Sequence, residues 1–264
     1  MTDPTNPLLR IRDLQVDIGK NRLLDVDELD VGHGEIVGLV GESGAGKSLM
    51  QSAVLGLLPG QAKVSGSLAF DGIELLGASR SVMHDIRGCR ITVVLQAARA
   101  ALTPTLRAET WIDRALALHD VPKAERATRL AHALDAVRLD PELLKRYPHQ
   151  LSGGEAQRVS IALAVALRAE LILADEATSA LDVTVQAEVA ELFRELRDSE
   201  GTSFLLVSHD LALVAGLADQ INIIERGRIV ERGGPEILEY PSDPVTQALV
   251  AAKTVLPAIE EVAS

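Results

Sequence analysis

The sequence predicts an α/β fold, a mainly parallel sheet with helices packed on it, and three observations carry the prediction. After residue 152 helical and strand patterns alternate, as they do where each strand returns through a helix. Two short runs, 36–40 and 171–174, are continuously apolar, which suits strands buried on both faces. Between the first of these and a helical pattern stand eight residues that can pack almost no core, GESGAGKS at 41–48.

In chain order, residues 8–40 read as strands: Leu14, Val16 and Ile18 alternate, and a second apolar-rich run covers 23–31. Helical spacing begins at Lys47, with Leu49, Ala53, Val54 and Leu57 on one side, and Pro59-Gly60 predicts its end. Residues 64–70 and 91–95 read as strands, with Asp71-Gly72 as a turn signal. From about 105 to 148 the reading is helical: Ala127, Leu130, Leu134 and Val137 recur at helical spacing, punctuated by Pro104, Pro122, Pro141 and Pro148. There follow a helix at 153–168, a strand at 171–174, a helix at 184–198, a strand at 203–207, a helix at 211–218 and a strand at 220–225. The order places a helical insertion at about 97–155 between two α/β halves.

The 264 residues suit one large domain, or one domain with a modest inserted subdomain, and 47% of them are hydrophobic, enough for a sizeable core. The net charge of −12 argues against a nucleic-acid partner, because neutralising phosphates needs Lys and Arg in excess. Six aromatic residues offer little for base stacking. Cys89 is the one cysteine, so no disulfide framework is expected, and it reads as a small buried apolar residue. The start, MTDPTNPLLRIRD, has no apolar signal-peptide core. The longest apolar stretch, 159–167, stops at Arg168, short of the ~20 residues a spanning helix needs. The expectation is a chain that does not itself cross a membrane and resides in the cytoplasm.

Gly41, Gly46, Lys47 and Ser48 satisfy G-x-x-x-x-G-K-[ST], with a strand before and a helix after. Glycines let the backbone curl so that successive N–H groups point at phosphate oxygens, and the helix N-terminus adds positive potential. The cradle comprises Gly41, Ser43, Gly44, Ala45, Gly46, Lys47, Ser48 and Leu49. Lys47 can reach the β- and γ-phosphates, and Ser48 can ligate Mg²⁺. The pattern points to a nucleoside triphosphate.

In LILADEATSALD, 171–182, a buried strand ends in Asp175 and Glu176, at the edge where α/β sheets place ligands. Asp175 suits a Mg²⁺ carboxylate, and Glu176 suits a base that activates water. In LSGGE, 151–155, Ser152 stands at the N-cap of the following helix. Its hydroxyl, the N–H groups of Gly153 and Gly154 and the helix dipole together make an anion site.

These motifs, with Ser208-His209-Asp210, resemble the ATPase subunits of ABC transporters over about residues 8–250, in order and in separation. The resemblance implies a P-loop NTPase (RecA-like) core with an N-terminal antiparallel β subdomain and an inserted α-helical subdomain. It implies an ATPase domain at 8–232 and a C-terminal extension at 233–264. It also implies that ATP and Mg²⁺ are bound, and that the 152–155 site, Ser152, Gly153, Gly154 and Glu155, grips the γ-phosphate of ATP held by the opposite subunit of a head-to-tail dimer. Gln96 resembles the Q-loop glutamine, a ligand of Mg²⁺ or water; His209 the H-loop histidine; and Asp182 the D-loop aspartate. The catalytic set is then Glu176, His209 and Lys47, and the metal set Ser48, Gln96 and Asp175. Ile18 stands where the family usually carries an aromatic that stacks on adenine, Ala177 where Pro is frequent, and AARAALTP after Gln96 is less polar than usual.

YPHQLSGGEAQRVSIALAVAL, SALDVTVQAEV and RGRIVERGGPEILEYPSDPVTQALV are similar to the oligopeptide/dipeptide/nickel importer group. This implies integral-membrane permease partners, a second ATPase subunit (a homologous heterodimer favoured over a homodimer), an indirect link to an extracytoplasmic solute-binding protein, and a peripheral position on the cytoplasmic face of the inner membrane. The alternative is a soluble ABC-type accessory ATPase of a metabolic complex such as phosphonate breakdown.

Overall fold

The computed structural model describes residues 6–177 and 182–254. The chain divides into two compact units, Met1–Leu76 with Leu206–Ser264, and Gly77–Leu205. The first unit opens with β1 (Leu9–Ile18), β2 (Asn21–Val31), β3 (Ile36–Val40), α1 (Lys47–Val54), β4 (Ala62–Phe70) and β5 (Ile73–Glu74). The second holds α2 (Arg80–Ile86), β6 (Ile91–Leu95), α3 (Ala98–Ala101), α4 (Ala108–Leu118), α5 (Lys123–Ala136), α6 (Gly153–Leu167), β7 (Leu171–Asp175) and α7 (Val183–Glu200). The division falls within β8 (Ser203–Ser208), after which the first unit resumes with α8 (Leu211–Leu217), β9 (Gln220–Glu225), β10 (Arg228–Gly233) and α9 (Pro244–Thr254).

In the first unit an antiparallel sheet runs β2-β1-β4-β5, and a second sheet runs β10-β9-β3-β8. In the second unit the order is β8-β7-β6, with β6 and β7 parallel. This is the α/β architecture the alternation predicts, with the antiparallel subdomain at the N-terminus. Every residue of β3 is buried, and each fully buried Val, Ile or Leu contributes about 1.5–3 kcal/mol. Gly38 lets α8 lie on this strand, since a Cβ there would stand 2.3 Å from Val214 Cγ1.

β1 departs from simple alternation. Leu9 and Ile11 face the core, and then Leu14 and Val16 do so, one residue out of phase. The slip is a bulge at Asp13, whose φ is +48°, with a register shift against β4 between Arg12 and Gln15. Gly66 makes room for it: a Cβ there would lie 2.2 Å from the Asp13 carbonyl oxygen.

Three local readings are corrected. The first helix ends at Val54 rather than at Pro59-Gly60, because Gly56 turns left-handed at φ +58° and the Leu57 N–H closes back on the Ser52 carbonyl at 2.7 Å. Leu57, read as part of the apolar face, is 60% exposed. The last part of the 105–148 stretch is two 3₁₀ turns, Pro141–Lys145 and Pro148–Gln150, each opened by a proline; proline disrupts a helix interior but fits a first turn. Cys89 is half-buried and free, and desolvation pushes its thiol pKa up. Helices α2 and α9 and strand β10 have no counterpart in the sequence reading.

The C-terminal helix α9 is moored to β10 through Glu231, whose carboxylate accepts from the Ser242 N–H (2.8 Å), the Ser242 hydroxyl (2.6 Å) and the Asp243 N–H (3.2 Å). Desolvation would raise its pKa, but these hydrogen bonds together outweigh it, and the group titrates at about 2. A carboxyl depressed on folding stabilises above its unfolded pKa and loses that contribution as pH falls toward its folded pKa. The mooring is therefore complete above about pH 4.5 and is lost between there and about 2. Comparing thermal midpoints of the wild type and Glu231→Gln from pH 7 downward should show a gap that closes below about pH 4.5; a gap independent of pH would contradict it.

Candidate nucleotide site

In the first unit β3 delivers the chain into residues 41–46, and α1 begins at Lys47. Gly46 caps the helix at φ 111° and Gly44 sits at φ +83°, conformations that L side chains rarely adopt. Gly41 is required by proximity, since a Cβ would fall 2.2 Å from the Ile224 carbonyl oxygen of neighbouring β9. Lys47 is only 7% exposed, and its ammonium donates to the carbonyls of Gly41 (2.6 Å) and Glu42 (2.8 Å). A cation is thus held across the mouth of a loop whose far end is a helix N-terminus, an arrangement built for an anion. Ser43, Gly44 and Ser48 are exposed, Ala45 is buried and Leu49 half-buried.

The loop is braced from a distance. The Gly227 N–H donates to the Ala45 carbonyl at 2.8 Å, and the Gly227 carbonyl accepts from the Asp25 N–H at 2.8 Å. Motif reading missed this residue; its only sequence signal is a glycine in the turn between β9 and β10. Gly227 has φ +80°, and a Cβ would meet the Leu23 carbonyl oxygen at 2.1 Å. Gly227→Ala should therefore cost about 1–3 kcal/mol from backbone conformation alone, lowering the thermal midpoint by ~2–4 °C per kcal/mol. It should also weaken ATP binding, because the displaced turn releases Ala45; calorimetric titration with ATP checks this, and wild-type affinity would contradict the brace. Beside the same loop lies a cavity of about 420 Å³ lined by Glu42, Gly44, Ile224, Arg226, Val245 and Leu249, so α9 forms part of the loop's surroundings.

Two more candidates belong to this unit. Ile18 ends β1, half-buried, paired with Asn21 and Ala62. His209 is exposed immediately after β8. Its neighbours fix the backbone: the Ser208 hydroxyl accepts from the Asp210 N–H at 2.9 Å, and the Asp210 carboxylate caps α8 by accepting from the Ala212 N–H at 3.0 Å.

In the second unit Leu95 of β6 pairs with Asp175 of β7. Gln96 and Glu176 therefore leave adjacent parallel strands at the same edge. Gln96 is exposed, and Asp175 and Glu176 are partly exposed. Glu176 has φ +46°, a left-handed conformation costing about 1–2 kcal/mol for a residue with a Cβ; it turns the carboxylate's backbone sharply out of the strand. Gln96 and Asp175 offer hard oxygens here, as Ser48 does in the first unit, and no cluster of three or more His, Cys, Asp and Glu that could hold a metal occurs among the described residues. Oxygen donors of this kind suit Mg²⁺, which keeps waters and is shared with phosphate oxygens rather than caged by protein.

Ser152 caps α6 in a capping box: its hydroxyl accepts from the Glu155 N–H at 3.2 Å, and its own N–H donates to Glu155 Oε2 at 2.6 Å. The hydroxyl proton remains available to donate. A Cβ on Gly154 would stand 2.8 Å from Val185 Cγ1, so the glycine lets α6 begin against α7. Asp182 caps α7, accepting from the Val185 N–H at 3.0 Å; within the same unit it and the 152–155 segment meet at Val185. Residues 178–181, which include the first three residues of SALD, lie outside the described residues.

Comparison with known proteins follows the same lines. Residues 24–179 match the ABC transporter family model. The chain belongs to the ABC transporter family. Its ABC cassette is similar to the peptidoglycan transport ATP-binding protein of Agrobacterium fabrum (41% identity; 94% of this chain, 47% of that protein). It is also similar to the oligopeptide transport ATP-binding protein of Lactococcus lactis (38%; 86% and 69%) and the dipeptide transport ATP-binding protein of Haemophilus influenzae (40%; 92% and 76%). It thus spans about half the length of the first relative and more of the others. Among solved structures, cbiO1 of Clostridium perfringens shares the fold at TM-score 0.81 and 22% identity, covering 97% of this chain and 98% of that one. A bacterial ABC cassette solved in a post-hydrolysis state with ADP and Pi matches at TM-score 0.74 and 26% identity, covering 86% and 98%. The cassette is an ATP-binding ATPase of this family. No helix among its described residues is long and apolar enough to cross a membrane.

Proposed function

We propose that this chain is the ATP-hydrolysing subunit of a bacterial importer for peptides or similar small solutes. It docks on permease subunits at the cytoplasmic face of the membrane and pairs head-to-tail with a second, homologous ATPase subunit. The single observation that carries the nucleotide reading is buried Lys47, whose ammonium is held across the 41–46 loop; the peptide reading is supported by the similarity to oligopeptide and dipeptide transport ATP-binding proteins.

In this reading the loop N–H groups and Lys47 hold the β- and γ-phosphates. Ser48, Gln96 and Asp175 would hold Mg²⁺, which would supply positive charge to offset that developing on the phosphate. Glu176 orients the attacking water and accepts its proton, and His209 supports the γ-phosphate. Ser152, with the N–H groups of Gly153 and Gly154, donates to the γ-phosphate of the nucleotide held by the opposite subunit, so ATP joins the pair and hydrolysis releases it. Asp182 lies beside the 152–155 segment and serves the contact between subunits. Residues 233–264 are the C-terminal extension, and within it Ser242 and Asp243 are held by Glu231.

The test is reconstitution with the permease subunits in liposomes, where a solute-binding protein loaded with peptide should raise ATP hydrolysis and drive peptide uptake. Co-purification with a soluble enzyme core and no membrane subunit would overturn it.

A further inference from the structure

We propose that Arg99 is a positioning residue that ties the segment following Gln96 to Ser152, an inference that rests on Ser152 contacting the γ-phosphate across the dimer. Helix α3 starts two residues after Gln96 and is anchored by Ala98, 4% exposed, with Leu102 behind it, 1% exposed. From this anchor the Arg99 guanidinium donates to the carbonyl oxygen of Leu151, itself 2% exposed.

That carbonyl and the Ser152 N–H belong to one peptide plane, and a peptide plane turns as a unit. Its oxygen edge is held by Arg99, and its nitrogen edge by Glu155 Oε2 at 2.6 Å. The Leu151 carbonyl lies ahead of the N-cap, so no bond of α6 occupies it; the first intrahelical bond goes to the Ser152 carbonyl. The plane sets the direction of the Ser152 hydroxyl and of the N–H groups that follow it. Charge assistance makes the guanidinium bond stronger than a neutral one. A shift of the chain after Gln96 therefore carries Arg99 with it and turns the peptide that aims Ser152. Sequence reading singled out AARAALTP only as a departure from the family's usual pattern; Arg99 is its one charged side chain.

The experiment uses the full chain together with the homologous ATPase subunit it pairs with, with Arg99→Ala and Arg99→Lys made both in the wild type and in a Glu176→Gln background. Arg99→Ala should lower kcat for ATP hydrolysis on the order of 10–100-fold, the scale of a small misplacement of a group acting at the reacting centre. KM for Mg-ATP and ATP binding to the monomer should stay within about twofold, because the loop at 41–48 is untouched. ATP-driven dimerisation of Glu176→Gln, followed by light scattering, should weaken, and Arg99→Lys should recover a large part of both losses. Arg99→Gln, which keeps a donor without the charge, replaces Arg99→Ala if the latter does not fold. Turnover within about twofold of wild type, parallel losses of affinity and turnover, or a Lys variant no better than Ala would each overturn the role of Arg99. If the wild type hydrolyses no ATP and Glu176→Gln does not dimerise with it, the dimer reading falls first and this one with it.

Discussion

Glu176→Gln is expected to reduce steady-state ATP hydrolysis by about 10²–10⁴-fold, the range supplied by a positioned general base. The amide preserves the shape of the side chain but cannot take the proton of the attacking water. The backbone that aims it, left-handed at φ +46° after a buried strand, should be unchanged, so the thermal midpoint should match the wild type. ATP binding should survive, and the ATP-bound dimer should accumulate because the step that dissolves it is blocked. Phosphate-release kinetics and light scattering with Mg-ATP, in the presence of the homologous ATPase subunit, measure the two halves of the prediction. Hydrolysis at the wild-type rate would remove Glu176 from the mechanism; loss of ATP binding would make it a ligand rather than a base.

Lys47→Ala should fail at the earlier step. Lys47 is 7% exposed and its ammonium bridges two loop carbonyls, so its removal takes the side-chain cation of residues 41–49 from the cradle. A hydrogen bond to a charged group contributes about 1.5–3 kcal/mol, and two such bonds to phosphate oxygens correspond to at least about 100-fold in Kd. Calorimetric titration with ATP should show that loss, and turnover should disappear with it. Dimerisation should be absent as well, in contrast to Glu176→Gln. If Lys47→Ala bound ATP at wild-type affinity, the loop amides alone would account for the site.

The chemical groups of this site were readable because each motif is local. A strand, a glycine turn and a helix start are all specified within the eight residues 41–48, and the capping box of Ser152 and Glu155 closes within four residues. Strand ends are nearly as local: the apolar run 171–174 predicts where Asp175 and Glu176 emerge, whereas Gln96 comes beside them only through the long-range pairing of Leu95 with Asp175. Other features depend on partners far along the chain. The Asp13 bulge makes sense only against Gly66, the end of α1 only once Gly56 turns left-handed, and the mooring of α9 only once β10 presents Glu231.

Residue types and short spacings were therefore sufficient to name the phosphate cradle, the acidic strand end and the helix cap, since hydrogen bonds between residues one to five apart follow from local backbone geometry. Folding was needed to choose Gly227 as the brace of the 41–46 loop and Arg99 as the hold on the Leu151 peptide. Neither choice is encoded by spacing: each requires two backbones to approach within hydrogen-bond distance, and strand register and helix packing alone set which residues do so.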